Sequence, residues 1–407
     1  MRAMRRIVFT LALAATLISC KKPLMDTLPR WYSRGPRSYM AHAGEMEDTS
    51  AIGKPVKGGI YFTALRFPDW AKWREGDFRG AEAVLFLDST EVAKASAGPR
   101  PDPARIRILE GRMWTDVAEG GTTEVFCNGE HRLTIPAEEL IKGLFTENGR
   151  IHTLGQRPGG KGLCYRIDGE EVFSTGAGTV MGTFMRDTSG VYFVYGIPIR
   201  NGDSATTEYH IIKGAEDIKA VTPNKGGVIY DIRVRDGTVY RSERRGESPS
   251  SLCLVAGEAF HSMGVGETED IHLCRLMELG EEMMIKGYSV AGNITTHWIR
   301  SRDGIRHQVT SRRGGIPDIY SDGVSIAHLV TGIADKVTMI HAENTDFSIE
   351  EEGLCLVSSG SACADYKDGV FAAALSDTSF RTHRIFAGGR LIPLEFNGYF
   401  TSLTISE

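Results

Sequence analysis

Two series of turn residues return along the chain at a nearly constant interval, and this repetition constrains the fold more than any other feature. The first series returns in steps of 38 to 47 residues: Gly111, Gly149, Gly190, Gly237, Gly280, Gly323 and Gly369. The second interleaves with it in steps of 40 to 47 residues: Asp88, Gly129, Gly169, Gly214, Gly257, Gly304, Asn344 and Gly388. Four turns of the first series are Asn-Gly or Asp-Gly pairs, which favour tight hairpins with positive φ at both central residues: Asn148-Gly149, Asp236-Gly237, Asp322-Gly323 and Asp368-Gly369.

Two hairpin turns in each repeat predict four antiparallel strands. In the repeat at 225–264, the strand-like runs are 228–234, 238–242, 252–255 and 259–262. Four strands with a period of roughly 40–45 residues are typical of a β-propeller blade. A β-sandwich is the main alternative, but it does not predict a regular repeat. We therefore predict an all-β chain with a β-propeller domain at 58–407.

The number of blades follows from the two series. The second has eight members and the first has seven, so the first unit, which begins at Gly59, lacks its own first strand. Residues 399–405 form a strand-like run after the eighth unit. We predict that this run is the innermost strand of blade 1 and closes a ring of eight four-stranded blades, which removes an exposed sheet edge. Seven blades is the alternative if the irregular unit at 315–350 is not a blade.

The N-terminus has the pattern of an export signal. Arg2, Arg5 and Arg6 precede an apolar stretch at 7–18, which is too short to span a bilayer. The stretch ends in Leu-Ile-Ser-Cys at 17–20, and this sequence resembles the lipobox of bacterial lipoproteins. The resemblance implies cleavage of a signal peptide at 1–19 and acylation of Cys20, for example with palmitate. It also implies attachment to a membrane of the cell envelope, with the outer membrane as the expected site.

An ordinary signal peptide with an incidental cysteine is the alternative interpretation of this N-terminus. In either case residues 20–57 are polar and broken by Gly35-Pro36, so we predict a tether between Cys20 and the β domain. No later apolar run reaches the roughly 18–20 residues needed to span a bilayer.

The charge balance bears on possible partners. The formal net charge is −5, and removal of residues 1–19 with their three arginines gives −5 − 3 = −8. A uniformly basic nucleic-acid-binding protein is disfavoured by this balance, so we predict no nucleic-acid partner.

The cysteines and histidines do not indicate a metal site or a cofactor. Six cysteines follow Cys20, and they contain no C-x-x-C pair. The histidines do not show the spacing of a recognisable ligand cluster. We predict no metal and no cofactor, and mostly buried free thiols. Two disulfides remain open as alternatives, Cys253–Cys274 and Cys355–Cys363.

One surface is a candidate for binding. In a propeller the connections between second and third strands share one face with the connections between blades. Arginines and tryptophans recur in these connections, and a face rich in arginine favours an anionic partner, whereas exposed tryptophan suits stacking on sugars or anchoring of a protein. The predicted binding residues are Trp70, Trp73, Arg74, Arg157, Arg200, Arg244, Arg245 and Arg381.

These residues predict a membrane-anchored binding module for a glycan, an anionic ligand or a protein partner. The alternative is a glycan-cleaving hydrolase or lyase, for which catalytic residues are not identified. Asp69, Glu75 and Asp203 are the carboxylates that suit the role, and a close, partly buried pair at the channel mouth would favour it. A structural subunit of an envelope complex is a third interpretation.

Overall fold

The structure is a computed structural model that describes residues 59–406, apart from a set of internal gaps. The gaps are at 99–100, 161, 202–203, 225, 247–250, 264–269, 293, 313–317, 334–336, 343–344, 350–353, 356–362, 378–379 and 388–389. Cys20, the predicted signal peptide and the predicted tether lie outside the described residues. Within them, no helix is long and apolar enough to cross a bilayer.

The described residues form an all-β fold of eight antiparallel sheets that follow one another in chain order. Sheet 1 contains β1 (Ile60–Arg66), β2 (Glu82–Leu87) and β3 (Thr90–Ser96). Sheet 2 contains β4 (Ile106–Leu109), β5 (Arg112–Glu119), β6 (Thr122–Cys127) and β7 (Glu130–Ile135). Sheet 3 contains β8 (Leu140–Glu147), β9 (Arg150–Gln156), β10 (Leu163–Ile167) and β11 (Glu170–Ser174). Sheet 4 contains β12 (Thr179–Asp187), β13 (Gly190–Asn201), β14 (Ser204–Lys213) and β15 (Glu216–Val221).

The second half of the chain continues the series. Sheet 5 contains β16 (Val228–Arg235), β17 (Thr238–Arg245), β18 (Ser251–Ala256) and β19 (Ala259–Ser262). Sheet 6 contains β20 (Asp270–Leu279), β21 (Glu282–Ala291), β22 (Ile294–Ser301) and β23 (Gly304–Arg312). Sheet 7 contains β24 (Asp318–Ser321), β25 (Ile326–Ile333), β26 (Val337–Ala342) and β27 (Thr345–Ile349). Sheet 8 contains β28 (Leu354–Cys355), β29 (Ala364–Lys367), β30 (Val370–Asp377), β31 (Thr382–Ala387) and β32 (Arg390–Glu395), and β33 (Gly398–Ile405) is the last strand.

The strand β33 belongs to sheet 1, although it follows sheet 8 in the chain. It pairs antiparallel with β1 from Ile60 opposite Ile405 to Arg66 opposite Gly398. The order of sheet 1 is therefore β3-β2-β1-β33, so β33 takes the place of the missing first strand. The predicted pairing of residues 399–405 with the first unit is confirmed.

The hairpin turns explain why the strands reverse where they do. Asn148, Asp236 and Asp368 each adopt positive φ before a glycine that also does, as the predicted tight turns require. The fourth predicted pair, Asp322-Gly323, is different because β24 and β25 are joined by residues 322–325. There the Asp322 carboxylate accepts hydrogen bonds from the backbone N–H groups of Val324 and Ser325, at 2.9 and 2.7 Å, and this stabilises a longer turn.

Among the described residues, the hydrophobic core forms eight clusters, of which seven lie between consecutive sheets and one lies between sheets 8 and 1. Sheets 4 and 5 share one that contains Val194 and Ile232, and sheets 5 and 6 share one that contains Leu254 and Trp298. The cluster between sheet 8 and sheet 1 includes Phe400 of β33. Each sheet thus buries apolar side chains against two neighbours.

Two further predictions are corrected by the structure. Sheet 8 has five strands rather than four, because β28 and β29 both pair with β30. The alternative disulfide Cys253–Cys274 is wrong, because both residues are buried free thiols. The side chain of Cys355 lies outside the described part of the structure, so the alternative Cys355–Cys363 stays a prediction. Burial in the strand interior raises the pKa of Cys274 to about 12, so this thiol stays protonated at neutral pH. The expectation of buried thiols is confirmed for the described cysteines.

Candidate functional site

The two ends of the sheets differ in the connections that they carry. The turn end is where hairpin turns join the first strand to the second and the third to the fourth. The loop end is the opposite edge, where the second strand ends and the third begins. Hydrogen bonds join neighbouring loop ends: Gly398 N–H donates to Phe380 O at 3.1 Å, and Gln156 Nε2 donates to Gly178 O at 3.0 Å. The loop ends of sheets 8 and 1 and of sheets 3 and 4 therefore meet.

The predicted binding residues lie at the loop end of five different sheets. Arg157 follows β9, and Arg381 precedes β31. Arg200, Arg244 and Arg245 were predicted in loops but belong to the last residues of β13 and β17. The strands run longer than predicted because both partners continue the hydrogen-bonded ladder, with Arg200 opposite Ala205 and Arg245 opposite Ser251.

The tryptophan-rich connection of sheet 1 contains a short helix, α1 (Trp70–Arg74), which carries Trp70, Trp73 and Arg74. The Asp69 carboxylate caps it by accepting from the Lys72 N–H at 3.1 Å. The Trp73 ring is half-buried and lies 5.1 Å from the ring of Phe67, between centroids. Trp73 therefore helps attach α1 to the core cluster between sheets 1 and 2.

Among the predicted arginines, ion pairing varies. Arg157 lies 3.6 Å from the Glu171 carboxylate. Arg245 pairs with the buried Glu243 at 3.0 Å, and its guanidinium lies 4.2 Å from the centroid of the Phe260 ring. Arg200 and Arg381 are exposed. The structure does not bring these arginines into one compact cluster, because they belong to different sheets.

A buried polar network lies beneath Arg157 at the junction of sheets 2 and 3. The Arg166 guanidinium lies 3.1 Å from Glu139 Oε1 and 3.7 Å from the Glu171 carboxylate. The Glu139 side chain has no exposed surface, and the Arg166 side chain is 6% exposed. Burial of such a pair is tolerated only when each charge has a partner, so this network fixes the geometry of the loop end here.

A second buried carboxylate adjoins this network. Asp116 accepts hydrogen bonds from Arg105 and Arg107, the latter at 2.9 Å, and its side chain has no exposed surface. Arg105 also donates to Glu139 O at 3.1 Å, which connects sheet 2 to the start of sheet 3. Burial raises the pKa of Asp116, and the guanidinium groups of Arg107 and Arg105 oppose that rise.

Sequence reasoning missed these buried charges as a group. Glu139 and Arg166 are separated by two strands in sequence, and the pattern of apolar residues does not mark either as interior. The nearest signal in the sequence is the position of Glu139, which ends a polar connection directly before the first residue of β8.

The carboxylates considered for a hydrolase do not form a pair in the described residues. Asp69 and Glu75 are exposed at the two ends of α1, and Asp203 lies in a gap. The hydrogen bond from the Lys72 N–H holds the pKa of Asp69 below its usual value. A general acid needs a raised pKa, so the environment of Asp69 does not suit that role.

One hydroxyl–imidazole pair has the distance of a nucleophile and its base. Ser376 Oγ lies 2.6 Å from His383 Nδ1, and His383 Nε2 lies 3.0 Å from Phe396 O. Both side chains are fully buried, and the imidazole stacks on Phe396 at 3.8 Å between centroids. Because a substrate has no route to this pair, we interpret it as a structural link between β30, β31 and β32.

A cavity of about 470 Å³ is lined by the first strands of four consecutive sheets. Its lining residues come from β16, β20, β21, β24 and β29 and the turn after β24: Arg233, Leu276, Met277, Glu278, Met283, Lys286, Ile319, Tyr320, Ser321, Gly323, Ala364 and Asp365. Several of these directly precede turns of the first series, so the cavity lies towards the turn end. The predicted binding residues do not line it. Across the described ranges, no group of three or more His, Cys, Asp or Glu residues could hold a metal ion.

Comparisons with known proteins give no family. No protein-family model matches the chain, and no curated protein matches it by sequence. Solved structures give distant likenesses. A puromycin-hydrolyzing peptidase of Mycobacterium tuberculosis is 11% identical with a TM-score of 0.46, over 72% of this chain and 54% of the peptidase. The chain thus spans about half of that protein's length.

Two other solved structures show similar likenesses. A eukaryotic initiation factor is 11% identical with a TM-score of 0.43, over 84% of this chain and 98% of that one. The dihydro-heme d1 dehydrogenase NirN is 8% identical with a TM-score of 0.46, over 87% of this chain and 76% of that one. All these TM-scores are below 0.5, so the likenesses establish neither a shared fold nor a shared function.

Proposed function

We propose that the chain is a lipid-anchored, eight-bladed β-propeller that binds an anionic glycan at its loop end without catalysis. The eight sheets are the blades, and β33 closes the ring by completing blade 1. The anchor is an acyl group on Cys20 in the outer membrane of the cell envelope, and residues 20–57 are the tether.

Closure is supported by a contact that recurs at two junctions. Between sheets 5 and 6, the Asp231 carboxylate accepts from Leu276 N–H at 3.0 Å. Between sheet 8 and β33, the Asp365 carboxylate accepts from Ile405 N–H at 2.9 Å. The junction at β33 therefore uses the same bond as one between two successive sheets. Within the described ranges, each of the eight sheets also packs against two others through apolar clusters.

The observation that carries the proposal is where the chain enters sheet 1. Ser406 N–H donates to Gly59 O at 3.1 Å, and Ile60 N–H donates to Asp88 Oδ1 at 3.0 Å in the turn between β2 and β3. Gly59 therefore lies at the turn end, and a tether attached there leaves the predicted binding arginines at the opposite end. With the tether attached at the turn end, the loop end would face away from the membrane.

The ligand class follows from the exposed arginines at that end. Arg200 and Arg381 present exposed side chains there, and a guanidinium binds carboxylate and sulfate oxygens through paired hydrogen bonds. Because they lie in separate sheets, a long polyanion that crosses several blades fits their spacing better than a small ion.

The binding experiment compares charge removal at the two ends of the sheets. We expect the full chain to bind heparin, used as a polyanion probe, and Arg200→Gln/Arg381→Gln to weaken binding about fivefold, since exposed ion pairs contribute roughly 0.5 kcal/mol each. The matched control is Arg132→Gln/Arg302→Gln, two exposed arginines near turns between third and fourth strands. Equal losses in both variants, or no binding by the unsubstituted chain, would contradict the assignment of the loop end.

The anchor has a separate test. We expect the unsubstituted chain, expressed in a bacterium with a lipoprotein pathway, to incorporate labelled palmitate and to sediment with membranes. Cys20→Ser should abolish labelling and release the chain. Persistent labelling of Cys20→Ser would exclude this cysteine as the acylation site, whatever the outcome of the heparin experiment.

A further inference from the structure

The cavity lined by Arg233 and Tyr320 is distinct from the loop end and has the dimensions of a small-molecule site. Its volume of about 470 Å³ falls in the range of roughly 300–1,000 Å³ that ligand pockets occupy. Sheets 5, 6, 7 and 8 each contribute residues from their first strand, so most of the wall is formed by strands.

One wall of the cavity is apolar and adaptable. Leu276 and Met283 are buried, and Met277 lies beside them. The Tyr320 ring is held edge-on against Phe371 at 5.4 Å between centroids, which fixes its orientation. Methionine side chains adjust to irregular apolar groups, so this wall suits a hydrocarbon or aromatic body.

Each of the four charged groups that line the cavity has a partner from the protein. Asp365 accepts from Tyr366 N–H at 2.9 Å as well as from Ile405 N–H. Lys286 Nζ donates to Ile319 O at 2.7 Å. The Glu278 carboxylate lies 3.9 Å from the guanidinium of Arg235, outside the cavity lining.

Arg233, the fourth charged group, is half-exposed and makes one long ion pair. Its Nε lies 3.5 Å from Asp231 Oδ2, and within the described part of the chain this is the one carboxylate in ion-pair distance. Asp231 already accepts from Ile232 N–H at 2.9 Å and from Leu276 N–H. Among the described residues, the two terminal nitrogens of Arg233 have no hydrogen-bond partner. They can therefore act as paired donors, the arrangement that binds a carboxylate.

We propose that this cavity binds a small organic carboxylate with an apolar body. The carboxylate accepts hydrogen bonds from the terminal nitrogens of Arg233, and the apolar body packs against Met277, Met283 and Tyr320. The cavity is a second site, separate from the polyanion site at the loop end.

The test uses two probes that share an apolar body and differ in the sign of their charge. Titration calorimetry of the full chain carrying Cys20→Ser compares 3-phenylpropionate with 3-phenylpropylamine. We expect the carboxylate to bind and the amine to bind at least tenfold more weakly. Equal binding of the two, or no binding of the carboxylate, would overturn the proposal.

Variants then locate the site. Arg233→Gln should weaken 3-phenylpropionate binding about tenfold, because hydrogen bonds to charged groups contribute roughly 1.5 kcal/mol or more, and Arg233→Lys should have an intermediate effect. Arg302→Gln is the control and should bind as the parent does. Met277→Trp should fill the cavity and abolish binding although Arg233 is intact.

The outcomes separate this proposal from the loop-end site. Retained binding in both Arg233→Gln and Met277→Trp would place the carboxylate elsewhere and overturn the inference. Heparin binding should be unchanged in Arg233→Gln. Circular dichroism and unfolding curves for each variant show whether a loss of binding reflects a loss of the fold.

Discussion

At the scale of single residues, Gly155 explains how a carboxylate is buried between sheets 2 and 3. A Cβ atom at this position would lie 2.0 Å from Glu139 Oε2, which is closer than any non-bonded contact allows. The glycine therefore leaves the space in which the Glu139 side chain reaches Arg166. Glu139 Oε2 and Arg166 Nε have no hydrogen-bond partner among the described residues, so the pair depends on its single contact at 3.1 Å.

Gly155→Ala should therefore break the ion pair between Glu139 and Arg166. We expect the free energy of unfolding to fall by about 3 kcal/mol, because separating the pair leaves the buried Glu139 carboxylate without its ion-pair partner. Gly176→Ala is the matched control, since no atom lies within 4 Å of its added Cβ, and it should change the free energy by less than about 0.5 kcal/mol. Equal effects of the two substitutions in urea unfolding would contradict this account.

These buried charges show the limit of sequence reasoning about the site. Arg157 was predicted because it lies in a polar connection, and the structure places it at the loop end. Its link through Glu171 to Arg166 and Glu139 could not be predicted, because it depends on a contact between two sheets that the repeat pattern does not describe. The Arg233 cavity was missed for the same reason, since its walls come from four repeats.

At the scale of elements, carboxylates join the hairpin turns of neighbouring sheets. Asp187, before the first turn of sheet 4, accepts from Gly237 N–H of sheet 5 at 3.2 Å. Asp322 of sheet 7 accepts from Gly369 N–H of sheet 8 at 3.3 Å. Burial alone would raise the pKa of each carboxyl, but the hydrogen bonds that it accepts outweigh burial, and both pKa values lie below the usual 3.8.

These bonds predict a loss of stability in acid. A carboxyl whose pKa is lowered by folding stabilises the folded state above its unfolded pKa of about 3.9, and this contribution is lost as pH falls through the lower folded pKa. We expect Asp187→Asn to lower the free energy of unfolding by about 1–2 kcal/mol at pH 7 and to flatten the decline below pH 4.

The control for this experiment is Asp236→Asn, which changes an exposed carboxylate in the adjacent turn. It should leave the stability and its dependence on pH close to those of the parent. We would measure the free energy of unfolding of Asp187→Asn and of the parent as a function of pH. If the two curves run parallel from pH 5 to pH 2.5, the Asp187 carboxylate is not the titrating group.

The junction bonds of Asp365 and Asp231 give a second comparison between elements. Asp365→Ala should increase the hydrogen-exchange rate of the Ile405 amide about tenfold, because that N–H loses a charged acceptor. Asp231→Ala should increase the exchange rate of the Leu276 amide by a similar factor and leave the exchange rate of the Ile405 amide unchanged. Fast exchange at Ile405 in the unsubstituted chain would contradict the bond that is described.

The elements themselves were largely predictable. The spacing of Asn-Gly and Asp-Gly pairs predicted the hairpins at Asn148, Asp236 and Asp368, because positive φ at two successive residues is restricted to few side chains. The length of the turn at Asp322 was not predicted, because it depends on the hydrogen bonds that the Asp322 carboxylate accepts from the Ser325 and Gly369 N–H groups. Strand ends near Arg200 and Arg245 were also misplaced, because polar residues can continue a ladder when a partner strand is present.

At the scale of the whole molecule, the proposed closure makes eight similar sheets one cooperative unit. Each sheet buries apolar side chains against both neighbours, so an open array would leave the flanks of sheets 1 and 8 exposed to water. The side chains of Phe62 and Phe400 meet in the cluster that covers these flanks, with ring centroids 5.5 Å apart. Under this proposed closure, Gly59 lies at the turn end, where the proposed tether would attach.

The most direct measurement of closure is disulfide trapping across β1 and β33. Tyr61 and Thr404 are opposite each other in the two strands, and Ile199 and Thr206 are a matched pair within the hairpin of β13 and β14. After mild oxidation of the full chain with Cys20→Ser, peptide mass spectrometry should find an intramolecular bond in Tyr61→Cys/Thr404→Cys as readily as in Ile199→Cys/Thr206→Cys. A bond in the hairpin pair, with free thiols or only intermolecular bonds at 61 and 404, would contradict the closed ring.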